Sequence, residues 1–131
     1  MTPRDTIIVA EVGSWPDVEI HPHRFGGVEF RIGRRELGHL HGDRLADFPF
    51  PRAVRDELLA QGVVEPHHVL PESGWATRRM HDEADAHDVI VLFRMQYERA
   101  QARRAALPAG LGRSRSARGA TPTSASARPA S

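Results

Sequence analysis

Residues 28–41 decide the fold: Val28-Glu29-Phe30-Arg31-Ile32-Gly33-Arg34-Arg35-Glu36-Leu37-Gly38-His39-Leu40-His41. Val28, Phe30 and Ile32 alternate with Glu29 and Arg31, the period of two expected of a strand with one face in a core. Gly33-Arg34 supplies a two-residue turn, with glycine where a type II′ turn needs a positive φ. Glu36 to His41 then returns as the partner strand. This turn puts Ile32 across from Arg35, Phe30 across from Leu37 and Val28 across from His39. Side chains two apart on a strand share a face, so His39 and His41 are expected on the face of Leu37 and Val28. A slip of one residue would move both to the opposite face.

Upstream of this hairpin, Asp5 or Thr6 caps a short helix through Ile7, Ile8, Val9 and Val12 that ends near Gly13-Ser14. Trp15-Pro16-Asp17 turns the chain, because the residue before a proline is driven out of the helical region. Val18-Glu19-Ile20 is a short strand. Downstream, Asp47-Phe48-Pro49-Phe50-Pro51 reads as a rigid lead-in, and Pro51 suits the first turn of a helix. That helix buries Val54, Leu58 and Leu59 and closes at Gly62 in a left-handed conformation. Glu65 to Pro71 is extended. Ser73-Gly74 turns into a strand from Trp75 to Met80, with Trp75 expected between the sheet and the final helix. Asp82 caps that helix, with Asp85 three residues on as in a capping box. Val89, Leu92, Phe93, Gln96 and Tyr97 form its inner face, and fraying is expected after Arg99. The predicted order is α-β-β-β-α-β-α, an α+β domain with a small antiparallel sheet flanked by helices.

With 131 residues the chain has room for one domain. Residues 1–100 hold 12 arginines and all 17 acidic residues, a balance of 12 − 17 = −5, whereas residues 101–131 hold six arginines and no acid. Lysine is absent throughout. The segment 107–131 is rich in Arg, Ala and Ser and poor in large apolar side chains. It cannot bury enough surface to offset the ~1–2 kcal/mol per residue that backbone ordering costs. A disordered basic tail over 107–131 and a single folded domain over 1–106 are therefore expected. An acidic body repels duplex nucleic acid at long range, which leaves the tail as the segment suited to phosphates. No cysteine is present, which excludes disulfides, thiolate metal sites and a cysteine nucleophile. The apolar runs are far shorter than the ~18 residues of a membrane span. With no signal stretch near Met1, the expected address is the cytoplasm, with no membrane partner.

Histidine is the compositional oddity, with eight residues, six of them in the local pairs His21/His23, His39/His41 and His67/His68. Alternate histidines on a strand present two imidazoles to one side, and His67 supplies a third. We therefore take His39, His41 and His67 as candidate lining of one polar pocket, with Arg24 or Asp43 at its rim and Glu36 as a further oxygen donor nearby. Such a pocket suits a small polar or anionic ligand when a histidine is protonated, and a divalent metal when all are neutral. Convergence of His23, His39, His41 and His67 in space is the test of this reading. No HExxH or Gly-x-Ser-x-Gly pattern is present. The residues by themselves name no catalytic group and no cofactor, and whether the protein is an enzyme stays open.

Three motifs occur in order: Pro22-His23-Arg24-Phe25-Gly26-Gly27-Val28-Glu29-Phe30, then Glu36-Leu37-Gly38-His39-Leu40-His41-Gly42, then Glu65-Pro66-His67-His68-Val69-Leu70-Pro71-Glu72-Ser73-Gly74-Trp75. Together they resemble the small bacterial luciferase-family domain, also found in fungal proteins, over roughly residues 5–100. The name labels a family, and no light-emitting reaction follows from it. The second half is also similar, more loosely, to the MmcQ/YjbR domain, through a helix, His-Val-Leu-Pro before Gly-Trp, a strand and a last helix bearing a tyrosine. Both resemblances imply a helix-flanked antiparallel sheet. A ligand- or partner-binding module is the function expected, with a histidine-based metal protein or enzyme as the alternative. Nucleic-acid binding by MmcQ/YjbR-like shape is a third reading and rests on fold analogy.

Overall fold

The computed structural model describes residues 3–23, 26–67, 69 and 73–106. In chain order the elements are α1 (Arg4–Gly13), β1 (Glu19–Pro22), β2 (Val28–Ile32), β3 (Arg35–His41), β4 (Leu45–Pro49), α2 (Arg52–Ala60), β5 (Glu65–Pro66), β6 (Trp75–Arg79) and α3 (Glu83–Ala106). The strands form one antiparallel sheet in the order β1-β2-β3-β4-β6-β5. The architecture is α+β, as expected, with two strands more than the sequence pattern announces. Among the described residues, no helix is long and apolar enough to cross a membrane. The chain divides into the units Met1–Ala100 and Gln101–Ser131. The sheet, α1 and α2 belong to the first, and the described residues of the second are the end of α3. The expected disordered tail, 107–131, lies outside the described residues.

The hairpin turn forms as read. Ile32 pairs with Arg35, and Gly33 sits at φ 60°, a conformation that costs a residue with a Cβ and suits the first turn position. The register then shifts between Phe30 and Arg31, so that Arg31 faces Glu36 while Phe30 faces Gly38. This β-bulge adds one residue to β3 and reverses the facing of everything beyond it. Val28 therefore pairs with Leu40, and His39 lies across from Glu29. The expected placement of His39 and His41 on the side of Val28 is overturned for this reason.

β4 is the second correction. The Phe-Pro-Phe-Pro punctuation argues against a central strand, since proline donates no ladder hydrogen bond. Yet Leu45–Pro49 pairs with β3 on one side and β6 on the other, with Pro49 at the last position. β1 begins at Glu19 rather than Val18. α1 starts at Arg4 with Pro3 at its N-cap and no side-chain cap, so Asp5 serves the first turn by its charge and not as a cap. α3 continues to Ala106 rather than fraying after Arg99.

The core lies between the sheet and the helices. Phe93 of α3 meets Phe30 at 4.9 Å and Phe48 at 4.7 Å between ring centroids, both edge-on. Gly38 makes room for this contact, because a Cβ there would stand 2.9 Å from the Phe93 ring and 2.8 Å from the Asp47 carbonyl oxygen. Val89, Leu92, Gln96 and Tyr97 are buried with Phe93, the inner face read from the sequence. Gln96 donates to the carbonyls of Leu37 and Pro49, tying the helix to β3 and β4. Ile8 and Val12 of α1 and Leu58 of α2 join the same apolar cluster. α2 ends as expected at Gly62, where Gly62 N–H donates to Leu59 and Val63 N–H to Leu58, a Schellman closure. At the start of α3, Asp82 accepts from Asp85 N–H at 2.8 Å. Asp85 in turn accepts from His81 N–H and from Arg78.

Candidate functional site

The sheet face that carries Asp47 is polar where the other is apolar. β3 brings His39 and His41 to it, β4 brings Asp47, and β6 brings Thr77 and Trp75. Backbone pairing sets them side by side: His39 across from Asp47, and Asp47 across from Thr77. His67 follows the edge strand β5, whose Glu65 and Pro66 pair with Thr77 and Ala76.

Asp47 is the centre of the cluster. Its side chain has no solvent exposure. Oδ1 accepts from the Thr77 hydroxyl at 2.6 Å. Oδ2 has His41 Nε2 at 3.1 Å, His39 Nε2 at 3.3 Å and His67 Nε2 at 3.6 Å. Three imidazoles thus face one carboxylate oxygen. His39 Nδ1 stands 2.7 Å from Glu36 Oε2, so both nitrogens of this buried ring meet carboxylates. His67 Nδ1 accepts from Val69 N–H at 3.1 Å, which leaves the His67 proton on Nε2. His23 stacks on His39 at 4.0 Å and meets His41 edge-on at 5.7 Å. Trp75 closes another side, 5.3 Å from His39 and 5.9 Å from His67.

The electrostatics follow from this packing. Burial alone would depress the His39 pKa, but Asp47 and Glu36 outweigh it and raise it to about 9. Burial would raise Asp47, yet hydrogen bonds with His39 and Thr77 and the electrostatic pull of the nearby His67 and His39 rings bring it down to about 2. His41 is lowered, first by burial and then by repulsion from His39 and His23, against the pull of Asp47. Among the described residues, His39, His41 and Asp47 form a group whose ligand atoms all lie within 4.8 Å of one another. Two imidazole nitrogens and a carboxylate oxygen are donors of the kind that zinc and non-haem iron sites use.

His39, His41 and His67 are therefore brought together, with His23 against them. Asp43 sits in the turn between β3 and β4, where its carbonyl accepts from Arg4 Nε and its carboxylate lies 3.9 Å from Arg4 Nη2. Arg24 lies outside the described residues. Trp75 is half-buried on the histidine side, and the expected place between sheet and helix is corrected by the same alternation that buries Ala76. Sequence reasoning missed Asp47 and Thr77. A lone aspartate before Phe-Pro-Phe-Pro gives no spacing signal, and its role depends on β4 being a strand. Arg78, Arg79 and Arg94 each have acidic partners: Asp85 and Asp88, Glu65, and Glu98.

Residues 34–96 match the family model described as the luciferase domain. These residues form a luciferase-family domain. The match runs from the β2–β3 turn through most of α3, and it contains Glu36, His39, His41, Asp47, His67, Trp75 and Thr77. His23 and the strands β1 and β2 precede it. No curated protein and no solved structure matches the chain.

Proposed function

We propose that this luciferase-family domain is a ligand-binding module whose ligand is a divalent metal ion, held by His39, His41 and Asp47. One observation carries the reading: His41 Nε2 and His39 Nε2 lie 3.1 and 3.3 Å from a single oxygen, Asp47 Oδ2. Ligands at ~2.0–2.1 Å from a tetrahedral ion stand about 3.3–3.4 Å from one another, the edge of the tetrahedron. Both nitrogen–oxygen separations are near that edge, all three ligand atoms lie within 4.8 Å of one another, and they come from paired central strands, which are rigid supports. Glu36 on His39 Nδ1 is the carboxylate partner that ligand histidines commonly have. With three protein donors a fourth position is open, as in sites that act on a bound water or substrate. His67 flanks that position as an Nε2–H donor and not as a fourth ligand. Two buried or half-buried carboxylates, Asp47 and Glu36, favour a cation here over the anionic ligand that a protonated histidine would attract.

The test is a calorimetric titration of the full chain with zinc, followed by melting with and without the ion. One equivalent bound is expected. At a hundred times the dissociation constant, the stability gain is ~2.7 kcal/mol. Asp47→Asn should abolish both signals. No uptake of zinc, iron(II) or manganese by the wild-type protein overturns the reading and leaves a buried hydrogen-bonded cluster.

A further inference from the structure

Asp47 divides its two carboxylate oxygens between different tasks. Oδ1 accepts from the Thr77 hydroxyl at 2.6 Å, and Oδ2 lies 3.1, 3.3 and 3.6 Å from His41, His39 and His67. Thr77 is almost fully buried, and its backbone pairs directly with Asp47, so the hydroxyl has little freedom to turn away. The second nearby carboxylate, Glu36, is spent on His39 Nδ1 at 2.7 Å. Among the described residues, Oδ2 is thereby the carboxylate oxygen set against the two imidazole nitrogens.

We infer that Thr77 is the positioning residue that keeps Asp47 monodentate, and that it thereby restricts the site to zinc-like first-row transition ions and excludes calcium and magnesium. The inference rests on the metal-binding reading above and adds the class of ion and the residue that sets it. Calcium takes 6–8 oxygen ligands and often a bidentate carboxylate, and magnesium keeps an oxygen octahedron. The Thr77 bond on Oδ1 disfavours a bidentate carboxylate for the first, and two imidazoles among three donors disfavour the second. Borderline-soft ions accept imidazole readily and need few ligands. Thr77 touches no position where an ion would sit, so its effect is exerted through Asp47. Partners of this kind, one bond removed from the ion, typically change metal affinity 10–100-fold.

The experiment uses the full chain, wild type, Thr77→Val and Thr77→Ser. Valine keeps the β-branched shape and removes the hydroxyl, whereas serine keeps the hydroxyl. Each protein is titrated with zinc and with cobalt(II), whose visible ligand-field bands report the geometry and number of its donors. Calcium and magnesium are then added in large excess. The expected result is that the wild type binds zinc and cobalt(II) and keeps them under calcium and magnesium. Thr77→Val should bind ~10–100-fold more weakly with altered cobalt bands, and Thr77→Ser should restore both. If Thr77→Val binds zinc as tightly as the wild type with unchanged cobalt bands, the positioning role is refuted while the metal site stands. Displacement of zinc by calcium or magnesium from the wild type refutes the ion class. Failure of the wild type to bind either zinc or cobalt(II) overturns the metal site itself, and this inference with it.

Discussion

The two faces of the sheet are built from alternate residues of the same strands, yet they obey different rules. On one face Phe30, Leu40, Ala46, Phe48 and Ala76 are fully buried in the apolar cluster to which α3 contributes Val89, Leu92 and Phe93. On the other face His39, His41, Asp47 and Thr77 are organised around a single carboxylate. The apolar face needs only volume and shape, and many side chains of the right size satisfy it. The polar face needs each donor matched to an acceptor, because an unmatched buried charge costs far more than a missing methylene. β4 has both patterns in five residues, with Ala46 and Phe48 turned one way and Asp47 the other.

This contrast is broken most severely at Phe93. Phe93→Ala removes the ring held between Phe30 and Phe48, and it should cost ~3–5 kcal/mol in urea unfolding. The polar cluster should survive it wherever the protein still folds. Asp47→Asn tests the other face. It keeps the shape but removes the charge that faces His39 and His41, with an expected loss of ~1–3 kcal/mol at pH 7 in the absence of added metal. A neutral result would mean that the carboxylate has no structural role and serves a ligand alone. Trp75→Ala should cost less than Phe93→Ala, about 1–2 kcal/mol, since the half-buried ring packs on imidazoles and not in the core. A loss as large as that of Phe93→Ala would remove the distinction between the faces.

A smaller effect is expected at the start of α3. Asp85 is held at a pKa of about 2, chiefly by the His81 backbone N–H and then by Arg78. Its folded pKa lies below the ordinary carboxylate value of ~3.9. The stabilisation is therefore complete above about pH 4 and is lost as pH falls toward 2. The difference in urea midpoint between wild type and Asp85→Asn should be constant from pH 7 to 5 and shrink below pH 4. A difference that persists at pH 2 would assign the effect to shape and not to charge. The smallest change is expected from truncation after Ala106. Among the described residues the buried apolar side chains end at Ala100, so unfolding should shift by no more than ~0.5 kcal/mol.

Much of the fold was legible because its signals are local. The period of two over Val28 to Ile32, the Gly33 turn, the Gly62 closure and the Asp82 cap each depend on a few neighbouring residues, and each forms as read. The gathering of His39, His41 and His67 was legible as a hypothesis, because histidine alternation on a strand is itself a local pattern. β4 was not legible, since its prolines are strong local evidence for a loop. Asp47 went unrecognised with it.

The sequence by itself determined the α+β class, the helices with their inner faces, and which histidines stand close along the chain. Tertiary structure alone decided which side of the sheet those histidines occupy and what they surround. One extra residue at the β2–β3 bulge reverses the facing of His39 and His41, and no nearest-neighbour preference encodes such a slip. Asp47 reaches His39 across one strand gap and Thr77 across the next. These are cross-strand relations between residues up to 30 positions apart. They exist only once β4 has found its place, because a strand's partners are chosen by the burial of the whole sheet and not by the strand's own residues.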